Sequence, residues 1–180
     1  MKTWMKYGIG FGLATAAWTL VEYALGFHTT RIADGQLTSY LALVLPVTFV
    51  VLAGLAERRR LPTASVGRYL AVALLVMLVG DAITTPFLWA YHHYVLPDWL
   101  DRLMAFEREK LLLAGAPANV VDLRLAAIAR GNSTAAQIVG GLLGSTVLGL
   151  ILGVPLGFIL RRRPGSGPTA SGSIAQRAIG

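Results

Sequence analysis

Cysteine is absent from the 180 residues, which excludes a disulfide framework, an iron–sulfur cluster and thiol redox or thiol-nucleophile chemistry. Charge is scarce: 14% of residues are Asp, Glu, Lys or Arg, against roughly a quarter in soluble domains. The signatures of familiar membrane enzymes are also missing. There is no His-Glu-x-x-His, no Gly-x-Ser-x-Gly, no paired aspartates and no phosphate-binding Gly-x-x-x-x-Gly-Lys. Nothing supports an enzyme, and no cofactor or metal is implied.

What is abundant is apolar surface, since 55% of the chain is hydrophobic. Crossing a hydrocarbon core of about 30 Å takes about 20 apolar helical residues, because backbone amides in lipid must be satisfied within the segment. Four stretches meet that length: about Tyr7 to Phe27, Leu37 to Ala56, Tyr69 to about Tyr91, and about Ala135 to Leu160. The expected fold is therefore all-α, a polytopic membrane protein with four transmembrane helices. Lys2 and Lys6 ahead of the first stretch also fit a secretory signal with Ala24-Leu25-Gly26 as its cleavage site. Glu22 inside the run, and its length, favour a retained helix.

The basic residues that produce the net charge of +7 lie in short clusters beside apolar runs, a pattern that orients a membrane protein and does not point to nucleic acid. Ten cations (Lys2, Lys6, Arg58, Arg59, Arg60, Arg68, Arg161, Arg162, Arg163 and Arg177) fall on one side with only Glu57 against them, a balance of +9. On the other side six cations (Arg31, Arg102, Arg108, Lys110, Arg124, Arg130) meet six acids (Asp34, Asp98, Asp101, Glu107, Glu109, Asp122). The cationic side is expected to be cytoplasmic, with both termini inside. Glu22 and Asp81 are the acids left within spans.

Between the third and fourth spans, Leu96 to Thr134 is too polar to cross and is expected outside as two short amphipathic helices. Leu100, Leu103, Met104 and Leu111 mark the first, which Gly115-Ala116-Pro117 breaks. Val121, Leu125 and Ile128 mark the second, about Ala118 to Arg130, and Gly131-Asn132-Ser133 offers a break and a cap for the fourth span. A membrane domain over residues 1–163, with an external insert at 96–134, is followed by Pro164 to Gly180, whose composition predicts a disordered cytoplasmic tail.

Two sets of residues stand out. In the fourth span Gly141, Ser145, Gly149, Gly153 and Gly157 recur every four residues, with Gly140 and Gly144 alongside, and the first span carries Gly8, Gly12 and Ala16. Such a glycine zipper lets helix backbones approach closely, so the first and fourth helices are expected to pack on each other or on copies of themselves. Pro46, Pro86 and Pro155 each remove a helical hydrogen bond from a span, so kinks are expected there.

The second set centres on Asp81 at mid-bilayer, with Thr84, Thr85 and His92 on roughly its face and Glu22 in the outer third of the first span. A carboxylate at that depth costs about 2.5–3.5 kcal/mol on insertion scales. The sharp reading is a proton or cation site of Asp81 and Glu22 opened outward through His28, His92 and His93. The bland one is Asp81 hydrogen-bonded to hydroxyls of a neighbouring helix. A metal site from the three histidines and Glu22 fits poorly, because adjacent helical residues point about 100° apart.

The chain resembles the bacterial membrane family known as domain of unknown function 4199, from about Lys6 to Arg163. The residues that carry this are Lys6-Tyr7-Gly8-Ile9-Gly10-Phe11-Gly12-Leu13, Arg58-Arg59-Arg60, Val66-Gly67-Arg68, Pro97-Asp98-Trp99 and the Gly-rich last span ending in Arg161-Arg162-Arg163. Val66 stands where an aromatic residue is expected, and Asp81 is not part of the pattern. The resemblance implies a four-helix protein of the bacterial inner membrane and carries over no catalytic residues. Three functions stay open: an accessory or scaffold subunit associating with itself or other membrane proteins through its glycine faces, a small transporter or proton-coupled channel using Asp81, and a lipid-binding or enzymatic module at the outer surface.

Overall fold

The computed structural model describes residues 1–38 and 40–161, so Arg162, Arg163 and the segment from Pro164 to Gly180 lie outside the described residues. Among these residues all regular structure is helical: α1 (Thr3–Ala24), α2 (Ile32–Thr38), α3 (Val44–Arg60), α4 (Val66–Ala90), α5 (Trp99–Leu113), α6 (Ala118–Gly131) and α7 (Thr134–Leu160). A 3-10 turn at Leu41–Leu43 leads into α3, and a π turn at Tyr91–Val95 extends α4.

Local chemistry sets the helix ends. Gly26, at φ +78°, closes α1: its own N–H donates to Tyr23 O and that of Phe27 reaches back to Glu22 O, both at 2.9 Å. This is a left-handed cap that glycine adopts without strain, and it ends the helix three residues before the expected Phe27. Gly115, at φ +72°, closes α5 in the same way through bonds from Gly115 to Leu112 O and Ala116 to Leu111 O. Ser65 caps α4 by accepting from the Arg68 amide, and Ser133 caps α7 by accepting from the Ala136 amide, each at 3.3 Å. Pro46 falls in the first turn of α3, where its missing N–H removes no ladder bond, so it starts that helix where a kink had been expected. Pro86 and Pro155 lie inside α4 and α7.

Among the described residues, three stretches are long and apolar enough to cross a membrane: Ile32–Arg60, Val66–Val95 and Thr134–Leu160, of 29, 30 and 27 residues. At 22 residues α1 is long enough, but Lys6, Thr15, Thr19, Glu22 and its glycines dilute its apolar content.

The four long helices form a bundle in which α4 is central. It packs most extensively on α7 and α1, while α3 touches α1, α4 and α7; α1 and α7 occupy opposite corners. The core is built from Phe11, Val50, Ala53, Val72, Ala73, Val76 and Met77. The outer face is as apolar as the inside, with Leu143 62%, Phe158 64% and Ile159 74% exposed. Apolar patches on that scale do not face water in soluble monomers, so the surface suits a lipid solvent.

The expected pairing of α1 with α7 is not what forms. Both small-residue faces pack on α4, along different sides of it. A Cβ on Gly8 would lie 2.6 Å from Val79 Cβ, and one on Gly12 would lie 2.9 Å from the Gly80 carbonyl. On the other side a Cβ on Gly149, Gly153 or Gly157 would meet Leu74, Ala73 or Val66 at 3.0, 2.9 or 2.8 Å. The reason lies in α4: Gly80 admits α1, and the small Ala73 admits α7.

Candidate functional site

Asp81 is the sixteenth of the 30 residues from Val66 to Val95, so it stands near the middle of its span. Its Oδ1 accepts from the Thr85 hydroxyl at 3.4 Å, one helical turn on. From α7, Ser145 faces the carboxylate, and Gly141 leaves room beside it, since a Cβ there would lie 3.1 Å from Oδ1. Two members of the glycine stripe thus face the acid as well as the helix. The hydroxyl that bonds Asp81 is thus Thr85 of its own helix, and Ser145 is the hydroxyl that α7 turns toward it.

Asp81 also opens on a cavity of about 390 Å³ between α4 and α7, which runs to the base of the α5–α6 pair. Thr84, Thr85 and His92 line it with Asp81, so four of the five expected site residues meet in one place. Asn132 and Gln137 complete its polar wall. Two buried polar atoms of these side chains, Thr84 Oγ1 and His92 Nδ1, have no hydrogen-bond partner among the described residues. Native proteins rarely leave such atoms unpaired, and where they do a bound polar species is the usual account.

Glu22 is the residue that does not join them. It is buried at the C-terminal end of α1, where Oε1 accepts from the Thr38 hydroxyl at 3.1 Å and Oε2 lies 3.6 Å from His28 Nε2. His28 Nδ1 in turn lies 2.7 Å from the Tyr91 hydroxyl. Burial holds the His28 imidazole below its ordinary pKa, with the Glu22 carboxylate opposing that shift. Thr15 and Thr19, which share a face with Glu22, spend their hydroxyls on Phe11 O and Thr15 O of their own helix.

The two groups are neighbours, separated by aromatic rings. Tyr91 meets His92 edge-on with centroids 5.3 Å apart, and His92 stacks on Trp99 at 4.2 Å. His92 and Trp99 line both the Asp81 cavity and a second cavity of about 220 Å³ beside His28 and Tyr91. His93 turns elsewhere and stacks on Trp89 at 5.3 Å. Among the described residues no three His, Asp or Glu side chains are grouped closely enough to hold a metal, so the set of three histidines and Glu22 is not assembled.

The segment between α4 and α7 folds as the two expected helices, which pack as a pair. Its inner faces carry Leu103, Met104 and Val121 as expected, together with one residue the apolar pattern did not mark. Glu107 is buried on α5, accepting from Gln36 Nε2 of α2 at 2.8 Å and from Lys110 Nζ at 3.3 Å. The Gln36 bond, with Lys110 beside it, keeps this carboxyl below its usual range despite burial.

The residues that sequence reasoning missed at the site are Asn132, Gln137 and Tyr91. Asn132 and Gln137 stand where the sequence signals only a helix start, and Tyr91 looks like any interfacial aromatic. Only the juxtaposition of α4, α7 and the α5–α6 pair puts Asn132 and Gln137 on one wall, with Tyr91 on the wall of the neighbouring cavity.

The family model described as "Protein of unknown function (DUF4199)" matches residues 6–162. The match covers most of the chain, which belongs to that family. No curated protein and no solved structure matches it.

Proposed function

We propose that this DUF4199 protein is a four-span protein of the bacterial inner membrane, with both termini cytoplasmic, that conducts or exchanges a proton or small monovalent cation at Asp81. The observation that carries the function is the Asp81 cavity. A carboxylate near the middle of a span shares it with Thr84, Thr85, His92, Asn132 and Gln137, and two buried polar atoms there have no partner among the described residues. An ionisable group at that depth is costly and by default marks an ion or proton path. The hydroxyls and amides could replace part of a cation's hydration shell, and His92 stands between this cavity and the one beside His28.

α1 serves as the fourth span. It packs along α4 inside the bundle and turns Leu13, Leu20, Val21 and Leu25 outward. Orientation rests on the excess of cations at the end of the bundle that holds Lys2, Arg60 and Arg161.

The scaffold function drew on the glycine faces, and Gly8, Gly12, Gly149, Gly153 and Gly157 are filled within the chain. What favours association is narrower: Gly140 and Gly144 have no atom within 4 Å of a built Cβ.

The decisive experiment reconstitutes the protein in liposomes and follows proton and Na⁺ or K⁺ flux for wild type and Asp81→Asn. Flux that falls at least about tenfold in the variant, a rise of roughly 1.4 kcal/mol in the rate-limiting barrier, is expected. Equal flux in both, or none in either, refutes the proposal.

A further inference from the structure

At the opposite end of the bundle from the α5–α6 pair, a cavity of about 350 Å³ lies between the start of α1, the end of α3 and the start of α4. Lys2, Arg60 and Arg68 line it, and Glu57 is the one acid among the described residues that does so. Three cations against one carboxylate leave +2.

Arg68 and Glu57 hold each other, Arg60 is held by Thr3, and Lys2 lies over Trp4. Arg68 donates to Glu57 Oε1 through both Nε and Nη2, at 2.8 and 2.7 Å. Glu57 is almost fully buried, whereas the Arg68 side chain is 53% exposed, so the guanidinium is anchored at one edge and open at the other. The Thr3 hydroxyl accepts from Arg60 Nη1 at 3.0 Å. Lys2 Nζ lies 5.8 Å from the centroid of the Trp4 ring. The acid therefore orients Arg68 and neutralises just one of the three cations.

The rest of the wall is apolar, formed by Trp4, Leu61, Val72 and Leu75. A free inorganic anion would meet the cations and leave this wall unused; an uncharged lipid would cover the wall and leave the charge unmatched. A ligand with an anionic head and acyl chains uses both. Guanidinium forks match phosphate oxygens, and fixing them beforehand lowers the entropy lost on binding. The location agrees, because the ends of membrane-crossing helices are where lipid phosphates lie.

We propose that this cavity is a binding site for the phosphodiester headgroup of an anionic phospholipid. Lys2 and Arg60 supply the free charge, Arg68 supplies a fork positioned by Glu57, and Trp4 with Val72 and Leu75 receives the upper part of an acyl chain.

The test uses the full-length protein in nanodiscs of phosphatidylcholine doped with phosphatidylglycerol, with lipid retention read by native mass spectrometry. Wild type should prefer phosphatidylglycerol by at least about fivefold, and Lys2→Gln with Arg60→Gln should bring the ratio below about twofold, each basic group near a lipid surface being worth about a factor of five. Arg58→Gln with Arg59→Gln removes the same charge from the same end outside the cavity and should leave the preference standing. If the double cavity variant does not fold, Lys2→Gln alone, on an exposed side chain, should still lower the ratio at least about twofold. Absence of preference in wild type, or equal losses in the two double variants, overturns the site. Displacement of phosphatidylglycerol by inorganic phosphate at equal concentration would assign the cavity to a free anion and overturn the lipid.

Discussion

Replacing Gly144 and Gly153 of α7 by alanine, one at a time, applies the same chemical change to one helix with opposite expected results. In a helix interior the change is worth about 0.8–1.0 kcal/mol in propensity at either position. No atom lies within 4 Å of a Cβ built on Gly144, so Gly144→Ala should stabilise the protein by up to about 1 kcal/mol. At Gly153 the new methyl meets Ala73 Cβ at 2.9 Å, Leu70 Cδ1 at 3.0 Å and the Leu70 Cα at 3.3 Å. Carbon atoms pack best at about 3.5–4.0 Å, and a backbone atom cannot swing aside, so α7 must retreat from α4. Overpacking of that kind costs about 1–3 kcal/mol, which offsets the propensity gain and leaves a net loss of up to about 2 kcal/mol. The two variants should differ by about 1–3 kcal/mol in reversible unfolding by rising dodecyl sulfate mole fraction, followed by circular dichroism. Ala73→Gly removes the atom that Gly153→Ala strikes, so the pair should show a favourable coupling of about 1 kcal/mol in a double-mutant cycle. Two alanine variants within about 0.5 kcal/mol of each other, or additive Gly153 and Ala73 changes, would refute the assignment of this glycine face to α4.

The bond between Glu107 and Gln36 ties α5 to α2. Because the native carboxyl lies below its ordinary pKa of 4.5, its contribution is complete above pH 4.5 and is lost as pH falls through the native value. Hydrogen exchange of α5 amides should therefore accelerate over that acidic window, and Gln36→Leu should shrink the dependence; exchange independent of pH 3–6 after correction for the intrinsic rate would contradict it. At the end of α1, Gly26→Ala forces an L side chain to φ +78°, where a built Cβ also meets Thr30 Oγ1 at 2.8 Å. A loss of about 1–2 kcal/mol is expected in the same unfolding assay, because the left-handed region costs a Cβ-bearing residue about that much.

Much of the secondary structure could be read along the chain. The ends of α5, α6 and α7 fell within a residue or two of where Gly115-Ala116-Pro117 and Gly131-Asn132-Ser133 placed them, because caps and breaks act over one turn. The spans were visible for a similar reason, although α1 carries too many polar and small residues to qualify by composition. α2 was not anticipated, and Pro46 was expected to kink a helix that it begins. Of the site, Asp81 with Thr84, Thr85 and His92 was readable as one helical face. The separation of Glu22 from them was not, since it depends on where α1 ends against α2 and on Tyr91 and His28 lying between.

The sequence by itself determined that these helices exist, roughly where they stop, and that their solvent is apolar, because length, hydropathy and capping are local properties. Tertiary structure alone decided which side of each helix is inside. In water an amphipathic stripe marks the buried face, but lipid is as apolar as a protein core, so α4 and α7 carry no such mark and steric fit sets their rotation. That fit spends Gly153 on Ala73 while leaving Gly144 bare, and turns Gly141 and Ser145 toward Asp81. It also buries Glu57 between two arginines where the chain shows only a basic run.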